Sequence, residues 1–189
     1  GSLKFQCALS YADDVLVFSP TFEQHLIDLQ RVFDQFRTVG FHLSAKKSYF
    51  AMPSVSYLGH LISADGVCPD PKKVAVIQET EPNSRSEIRS WIGLASYYRK
   101  FVDNFAQMVR PLTKFINSRK PWCGLTPSMA EAITAVKKLL TSKPILDYPD
   151  FDVPFRIHCD ASPDAIAATL CQRVGGVERV IMYISRTLR

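Results

Sequence analysis

The sequence predicts an α+β fold in three successive parts: β-hairpins with one helix, then a run of helices, then an antiparallel three-strand meander. Three observations carry that expectation. Short apolar runs rich in strand formers bracket turn signals at both ends of the chain. The middle carries apolar residues at spacings of three and four. Prolines and glycines fall mostly at the joints between these blocks. With 189 residues, 47% hydrophobic and 22% charged, the composition is that of a globular chain with one good core or a few small subdomains, which excludes a disordered polymer.

Residues 5–10 and 15–19 read as two strands joined by Tyr11-Ala12-Asp13-Asp14, a hairpin with an acidic tip. Thr21 and Gln24 fit a capping box. Phe22, Leu26, Leu29, Phe33 and Phe36 then mark an amphipathic helix ending at Gly40. Residues 41–50 and 55–62 read as strands, with Met52-Pro53-Ser54 between them and Asp65-Gly66 closing the second. Asp70-Pro71 starts a short helix, a cap followed by proline at the first helical position. Ser84 and Glu87 form another capping box, opening a long helix that buries Ile88, Trp91, Ile92, Ala95, Tyr98, Val102 and Phe105. Arg85, Arg89, Arg99 and Lys100 lie mostly off that stripe and give the helix a basic side. Pro111 begins a further short helix, and Thr126-Pro127 opens one that buries Ile133, Val136 and Leu140 and ends at Lys143-Pro144. Phe155–Cys159, Ala165–Gln172 and Arg179–Ser185 are the meander, with turns at Ser162-Pro163-Asp164 and Gly175-Gly176.

The net charge of +5 is unevenly spread. Residues 69–143 hold 13 Lys/Arg against 6 Asp/Glu, a net of +7, and the remainder is mildly acidic. A basic middle suits a surface that tracks phosphates, although a solvated basic face is the plainer alternative. No apolar run reaches the roughly 20 residues of a membrane helix. Gly1-Ser2 reads as an expression remnant. Five scattered cysteines without C-x-x-C spacing point to a reducing compartment and to buried small hydrophobes rather than structural zinc.

Adjacent aspartates in a straight strand face opposite ways, so Asp13 and Asp14 serve one site only where the chain bends. Two carboxylates at a hairpin tip suit Mg²⁺, which takes one or two carboxylates plus substrate phosphates. An ordinary acidic turn is the competing reading.

An ordered series of motifs resembles the reverse transcriptases of the gypsy class of long-terminal-repeat retroelements. Tyr11-Ala12-Asp13-Asp14 looks like the Y-x-D-D box. Leu43–Phe50 resembles the next palm segment, with Ser48 where the family usually has Cys after Lys. Tyr57-Leu58-Gly59-His60, Ile62-Ser63 and Gly66 resemble the primer-grip hairpin, and Asp70-Pro71-x-Lys73, Gly93-Leu94, Tyr97–Phe101 and Pro111-Leu112 the thumb. Cys159-Asp160-Ala161-Ser162, Leu170-x-Gln172 and Tyr183-x-Ser185-Arg186 resemble the opening strands of an RNase H-like domain.

The resemblance implies a palm remnant over 3–68, a helical thumb and linker over 69–143, and the start of an RNase H-like domain over 144–189. It implies Mg²⁺ or Mn²⁺ on Asp13 and Asp14, where two ions activate a primer hydroxyl and stabilise leaving pyrophosphate. Lys47 would sit by the incoming nucleotide's phosphates as a proton donor, and Asp160 would be the first RNase H metal carboxylate. Tyr11, Tyr57, Leu58, Gly59, His60, Arg89, Arg99 and Lys100 would contact an RNA/DNA primer–template. Plainer readings are a solvated Lys47, a satisfied core His60 and a turn-forming Asp160.

The expected parent activity is RNA-directed DNA polymerase with RNase H, in the cytoplasm or nucleus within a retroelement particle. The chain starts just before the Y-x-D-D box and stops before further RNase H acidic residues, so the expectation for it alone is no catalysis and at most a nucleic-acid grip. The alternative is an excised or domesticated protein-interaction module. Self-association through strand edges in residues 3–19 or 153–188 is also expected.

Overall fold

The computed structural model describes residues 6–142 and 144–188, and the chain divides into two compact units, Gly1–Tyr57 and Leu58–Arg189. Mixed helices and antiparallel sheets make it an α+β protein. No helix among the described residues is long and apolar enough to cross a membrane.

In the first unit, β1 (Ala8–Tyr11) and β2 (Asp14–Val17) pair antiparallel, with Tyr11 opposite Asp14 and Ala8 opposite Val17. Only Ala12 and Asp13 make the turn, and Ala12 takes a left-handed φ of 48°. Phe5 and Gly1-Ser2 lie outside the described residues. Helix α1 (Phe22–Val39) begins where Thr21 accepts a hydrogen bond from the Gln24 backbone and ends on left-handed Gly40. The expected capping box is half present, because the Gln24 amide turns to Asp28 instead. The burial stripe is also narrower than its spacing implies. Phe22 and Leu26 are exposed, while Val32 and Asp28 are buried. Asp28 accepts from Ser19, Gln24 and Arg31, which satisfies a carboxylate that burial alone would penalise.

The expected strand over 41–50 is absent. Ala45–Lys47 is a 3-10 turn in which the Lys47 backbone N–H and the Ser48 hydroxyl both donate to the Ser44 carbonyl. Serine side chains offer the backbone local partners and so compete with a strand ladder. β3 (Ser54–Tyr57) completes this unit.

The expected strand over 55–62 is two strands. Leu58 and Gly59, with φ of 47° and 69°, take the left-handed pair that a tight turn requires. The second unit thus opens on β4 (His60–Ser63), which pairs with β5 (Gly66–Pro69). β5 is unforeseen in the sequence, because a four-residue strand ending in Pro69 carries little signal. Gly66 is obligatory there: its φ is 130°, and an added Cβ would lie 2.4 Å from the Leu146 carbonyl oxygen.

Helices α2 (Pro71–Glu79), α3 (Arg85–Tyr97), α4 (Phe105–Met108), α5 (Arg110–Asn117) and α6 (Pro127–Thr141) enclose the main core. Side-chain caps start three of them: Asp70 on α2, Ser84 on α3 and Thr126 on α6. Trp91, Ile88, Leu112 and Val136 are among its most buried members. Lys143 lies outside the described residues.

The long helix expected from Ser84 to Phe105 breaks instead. α3 ends at Tyr97, a 3-10 turn covers Arg99–Phe101, and Asn104 is left-handed with φ of 53°. Tyr98, Val102 and Phe105 are buried nonetheless. The apolar spacing reports burial, and the tighter turn carries it on without a continuous helix.

β6 (Phe155–Ala161), β7 (Ala165–Val174) and β8 (Val177–Thr187) form the meander, longer than the expected strands. Arg110 pairs with Asp164, and the Ala106 N–H donates to the Ser185 hydroxyl at 2.9 Å, tying the meander to the helices. Buried Gln172 has every group engaged, donating to the carbonyls of Asp150 and Val153 and accepting from the Asp150 N–H. Cys7 and Cys171 are buried as expected and Cys68 is half-buried, but Cys123 and Cys159 are exposed.

Candidate nucleic-acid interface

The residues singled out in the sequence fall into several separate places. At the β1–β2 tip, Tyr11, Asp13 and Asp14 are exposed. Neither carboxylate has an ion pair among the described residues. Asp14 lies near Tyr57, whose hydroxyl is pushed above its ordinary pKa by burial and then by that negative charge. Lys47 stands exposed at the end of its 3-10 turn. Asp160 is exposed on β6, opposite Ala167. Two oxygen donors at one tip fit a hard divalent cation by donor chemistry. Among the described residues, no third His, Cys, Asp or Glu completes a cluster with Asp13 and Asp14 or with Asp160.

The second unit holds the most ordered part. The turn Leu58-Gly59 is fixed from α3 by two successive tyrosines. Tyr97 donates to the Leu58 carbonyl at 2.7 Å, and Tyr98 donates to the Gly59 carbonyl at 2.8 Å. The Gly59 carbonyl also accepts from the Asp70 N–H, so the α2 cap shares the same anchor. Burial pushes the Tyr98 hydroxyl up to about 12, so it stays a donor at any working pH.

His60 follows the turn. Its Nδ1 lies 2.7 Å from the Leu58 carbonyl oxygen, and since a carbonyl only accepts, Nδ1 carries the proton. Nε2 is then a bare acceptor, and it is buried with no hydrogen-bond partner among the described residues. The ring is enclosed by Tyr97, Tyr98 and Phe101 at centroid distances of 5.5, 5.8 and 5.7 Å. Burial first, then the Lys100 charge, push the imidazole below its ordinary value. His60 is therefore neutral near pH 7. The plainer sequence reading of a core histidine with a satisfied ring is half right, since only one nitrogen is satisfied.

Lys100 is half-buried, its ammonium 5.2 Å from the Phe101 ring centroid, and burial lowers its pKa. Arg89 and Arg99 are exposed. Arg85 belongs to a different task. It donates to the carbonyls of Phe115, Ile116 and Ser118 at 2.6, 2.6 and 2.8 Å and to that of Lys120, and it stacks 4.4 Å over the Phe115 ring. It closes the carbonyl end of α5 rather than facing a ligand. One signal pointed that way: a cation in the first turn of α3 opposes the helix dipole and asks for a partner elsewhere.

Comparisons with known proteins give the family of the chain. Residues 3–62 match the reverse transcriptase (RNA-dependent DNA polymerase) family, and residues 125–189 match the RNase H-like domain found in reverse transcriptase. The retrovirus-related Pol polyprotein from transposon gypsy of Drosophila melanogaster is 37% identical over 95% of the chain. That from transposon opus of the same organism is 36% identical over 94%. The chain spans 18% and 19% of those relatives, less than a fifth of their length. A foamy viral protease-reverse transcriptase solved in complex with an RNA/DNA hybrid matches 96% of the chain at a TM-score of 0.83 and 26% identity, over 25% of its own length. A second such structure, in complex with double-stranded DNA, matches 96% at 0.84 and 26%, over 32% of its length. The chain belongs to the reverse transcriptase and RNase H-like region of retrotransposon Pol polyproteins of the gypsy type.

Proposed function

We propose that this chain grips the primer–template nucleic acid of a retrotransposon reverse transcriptase, with the Leu58-Gly59-His60 turn as the rigid contact and Arg89, Arg99 and Lys100 on phosphates. The observation that carries the reading is the double tyrosine anchor. Tyr97 and Tyr98 hold two consecutive main-chain carbonyls from one helix end, and the next two residues are basic. Positioning of a strand terminus needs a contact that does not yield, and phosphates need cations nearby. The relatives solved with nucleic acid support the same assignment.

In this reading residues 3–68 form part of a palm, 69–143 a thumb and linker, and 144–189 part of an RNase H-like domain. Asp13 and Asp14 would hold a divalent ion, Mg²⁺ or Mn²⁺, and Asp160 another in the RNase H-like part. Such ions lower the pKa of a bound hydroxyl or water and neutralise charge on a leaving oxygen. Tyr11 beside the pair would contact the primer, and Lys47 would hand a proton to a departing phosphate oxygen. The reading assigns this chain a grip and part of the donor sets.

Fluorescence anisotropy with a labelled primer–template duplex tests the grip. The Tyr97→Phe, Tyr98→Phe double variant, with unchanged circular dichroism, is expected to bind at least fivefold more weakly. Undiminished affinity in that variant, or no duplex binding at low salt, overturns the reading.

A further inference from the structure

Three side chains of the meander, none of them assigned to the nucleic-acid interface, meet at one point. His158 Nε2 and the Cys171 thiol each donate to the same Glu178 oxygen, at 2.6 and 2.9 Å. The three donor atoms all lie within 4.8 Å of one another. Each comes from a different strand. His158 on β6 stands opposite Thr169, Glu178 on β8 stands opposite Arg173, and Cys171 on β7 lies between those two levels. They therefore run diagonally across the sheet, where residues sit about 7–8 Å apart at the backbone and long side chains close the gap. A bulge between Leu170 and Cys171 shifts the β8 register here, setting Cys171 opposite Val180. Bulges re-aim side chains in this way.

The geometry points to a zinc-type metal site on the meander, with His158, Cys171 and Glu178 as its three protein ligands and the fourth position open to water. Imidazole nitrogen, thiolate sulfur and carboxylate oxygen form a donor set that zinc accepts, and the sulfur disfavours the hard Mg²⁺ expected at Asp13 and Asp14. Zinc bonds of about 2.0 Å to N and O and about 2.3 Å to S, at tetrahedral angles, space donor atoms about 3.3–3.6 Å apart. The present separations from Glu178 need to widen by less than about 1 Å, and its side chain is 47% exposed, so a rotamer change suffices. The ion enters from the His158 and Glu178 side, since Cys171 is buried behind them. Coordination takes the place of both donated protons. The thiol proton leaves to solvent, and the imidazole proton moves to Nδ1.

Arg156, opposite Cys171 in the register, places one positive charge near the site. Thiolate and carboxylate offset it and leave a net −1 for a divalent cation. The inference is independent of the nucleic-acid reading, because none of the three ligands belongs to that interface.

Co²⁺ titration of the full chain, kept reduced, is the test. The expected result is one equivalent of Co²⁺ bound, a thiolate-to-metal band in the near ultraviolet, tetrahedral absorption in the visible, and displacement by Zn²⁺ but not by millimolar Mg²⁺. His158→Ala and Glu178→Gln, both at exposed positions, should each weaken Co²⁺ binding at least tenfold. Cys171→Ser should abolish the thiolate band, while Cys123→Ser and Cys159→Ser keep it. If Cys171→Ser fails to fold, the His158 and Glu178 variants still decide. Absence of the band, its persistence in folded Cys171→Ser, its loss in Cys159→Ser, or affinity unchanged in both His158→Ala and Glu178→Gln overturns the site and leaves a hydrogen-bonded triad only.

Discussion

The Tyr98 hydroxyl donates to the Gly59 carbonyl at 2.8 Å, and a Cβ added to Gly59 would stand 3.3 Å from that same hydroxyl oxygen. One contact thus sets both the aim of the turn and the residue allowed in it. Gly59 also has φ of 69°, where an L side chain costs about 1–2 kcal/mol. Gly59→Ala is expected to lower stability by about that amount and to weaken duplex binding further by displacing both tyrosines. Chemical denaturation and anisotropy on the same variant check it. Binding equal to wild type would mean that the turn is not a contact.

Arg85 offers a purely structural prediction. It serves four carbonyls at and beyond the end of α5, three of them at 2.6–2.8 Å. Hydrogen bonds from a charged donor contribute about 1.5–3 kcal/mol each and do not add fully. Arg85→Ala should cost about 2–4 kcal/mol in urea unfolding, and Arg85→Lys should recover little, since an ammonium lacks the planar fork. Arg89→Ala, at an exposed position of the same helix, should change stability by less than about 0.5 kcal/mol. Equal effects from Arg85 and Arg89 would contradict the clamp.

Local chemistry was legible in the sequence, and partners distant in sequence were not. Thr21, Asp70, Ser84 and Thr126 start helices as read, because a cap acts within three residues. The hairpin tip at Asp13-Asp14 was legible for the same reason. The break after Tyr97 was hidden because Tyr98, Val102 and Phe105 keep a helical burial spacing through the 3-10 turn. Residues 41–50 have strand-like composition, but Ser44 and Ser48 bond locally. At the candidate site, the turn from Leu58 to His60 was singled out by resemblance, and the structure adds the tyrosine bonds that hold it. The Arg85 clamp needs α3 and α5 packed together, and the His158–Cys171–Glu178 meeting needs strand register across two pairings and a bulge.

His60 should make stability depend on pH. Lys100, Asp70, the Leu58 carbonyl and the rings of Tyr97, Tyr98 and Phe101 surround it, and burial with Lys100 lowers its folded pKa below the ordinary 6.5. The unfolded chain then binds the proton more readily than the folded one. The His60 contribution is therefore complete above pH 6.5 and is lost as pH falls through 6.5 toward the lower folded value. Melting temperatures of wild type and His60→Gln, compared from pH 7.5 down to 5.5, should converge on acidification. A gap that stays constant or widens in acid would show that His60 is not held neutral.

β6 pairs with β7 on one side, and all seven of its residues are exposed, including Ile157 at 63%. An edge with unpaired backbone groups and apolar side chains can pair with its own copy about a twofold axis. Sedimentation velocity at micromolar concentration is expected to give a dimer, and Ile157→Lys to give a monomer. A monomeric wild type would rule out this edge.

Salt dependence separates the grip from the alternative of a protein-interaction module. A duplex carries condensed counterions that bound cations release, so the logarithm of affinity falls linearly with the logarithm of salt, by about 0.9 per phosphate neutralised. Arg89 and Arg99 are exposed and Lys100 is half-buried beside His60. Substituting any one by alanine should reduce the slope by about 1, and the triple variant should reduce it by nearly 3. Arg85→Ala, whose charge is spent on main-chain carbonyls, should leave the slope unchanged while lowering stability. That contrast distinguishes cations that meet phosphate from cations that hold the fold. Duplex binding with no salt dependence, or a slope that responds to Arg85 but not to Arg99 and Lys100, would move the phosphate contacts elsewhere on the chain.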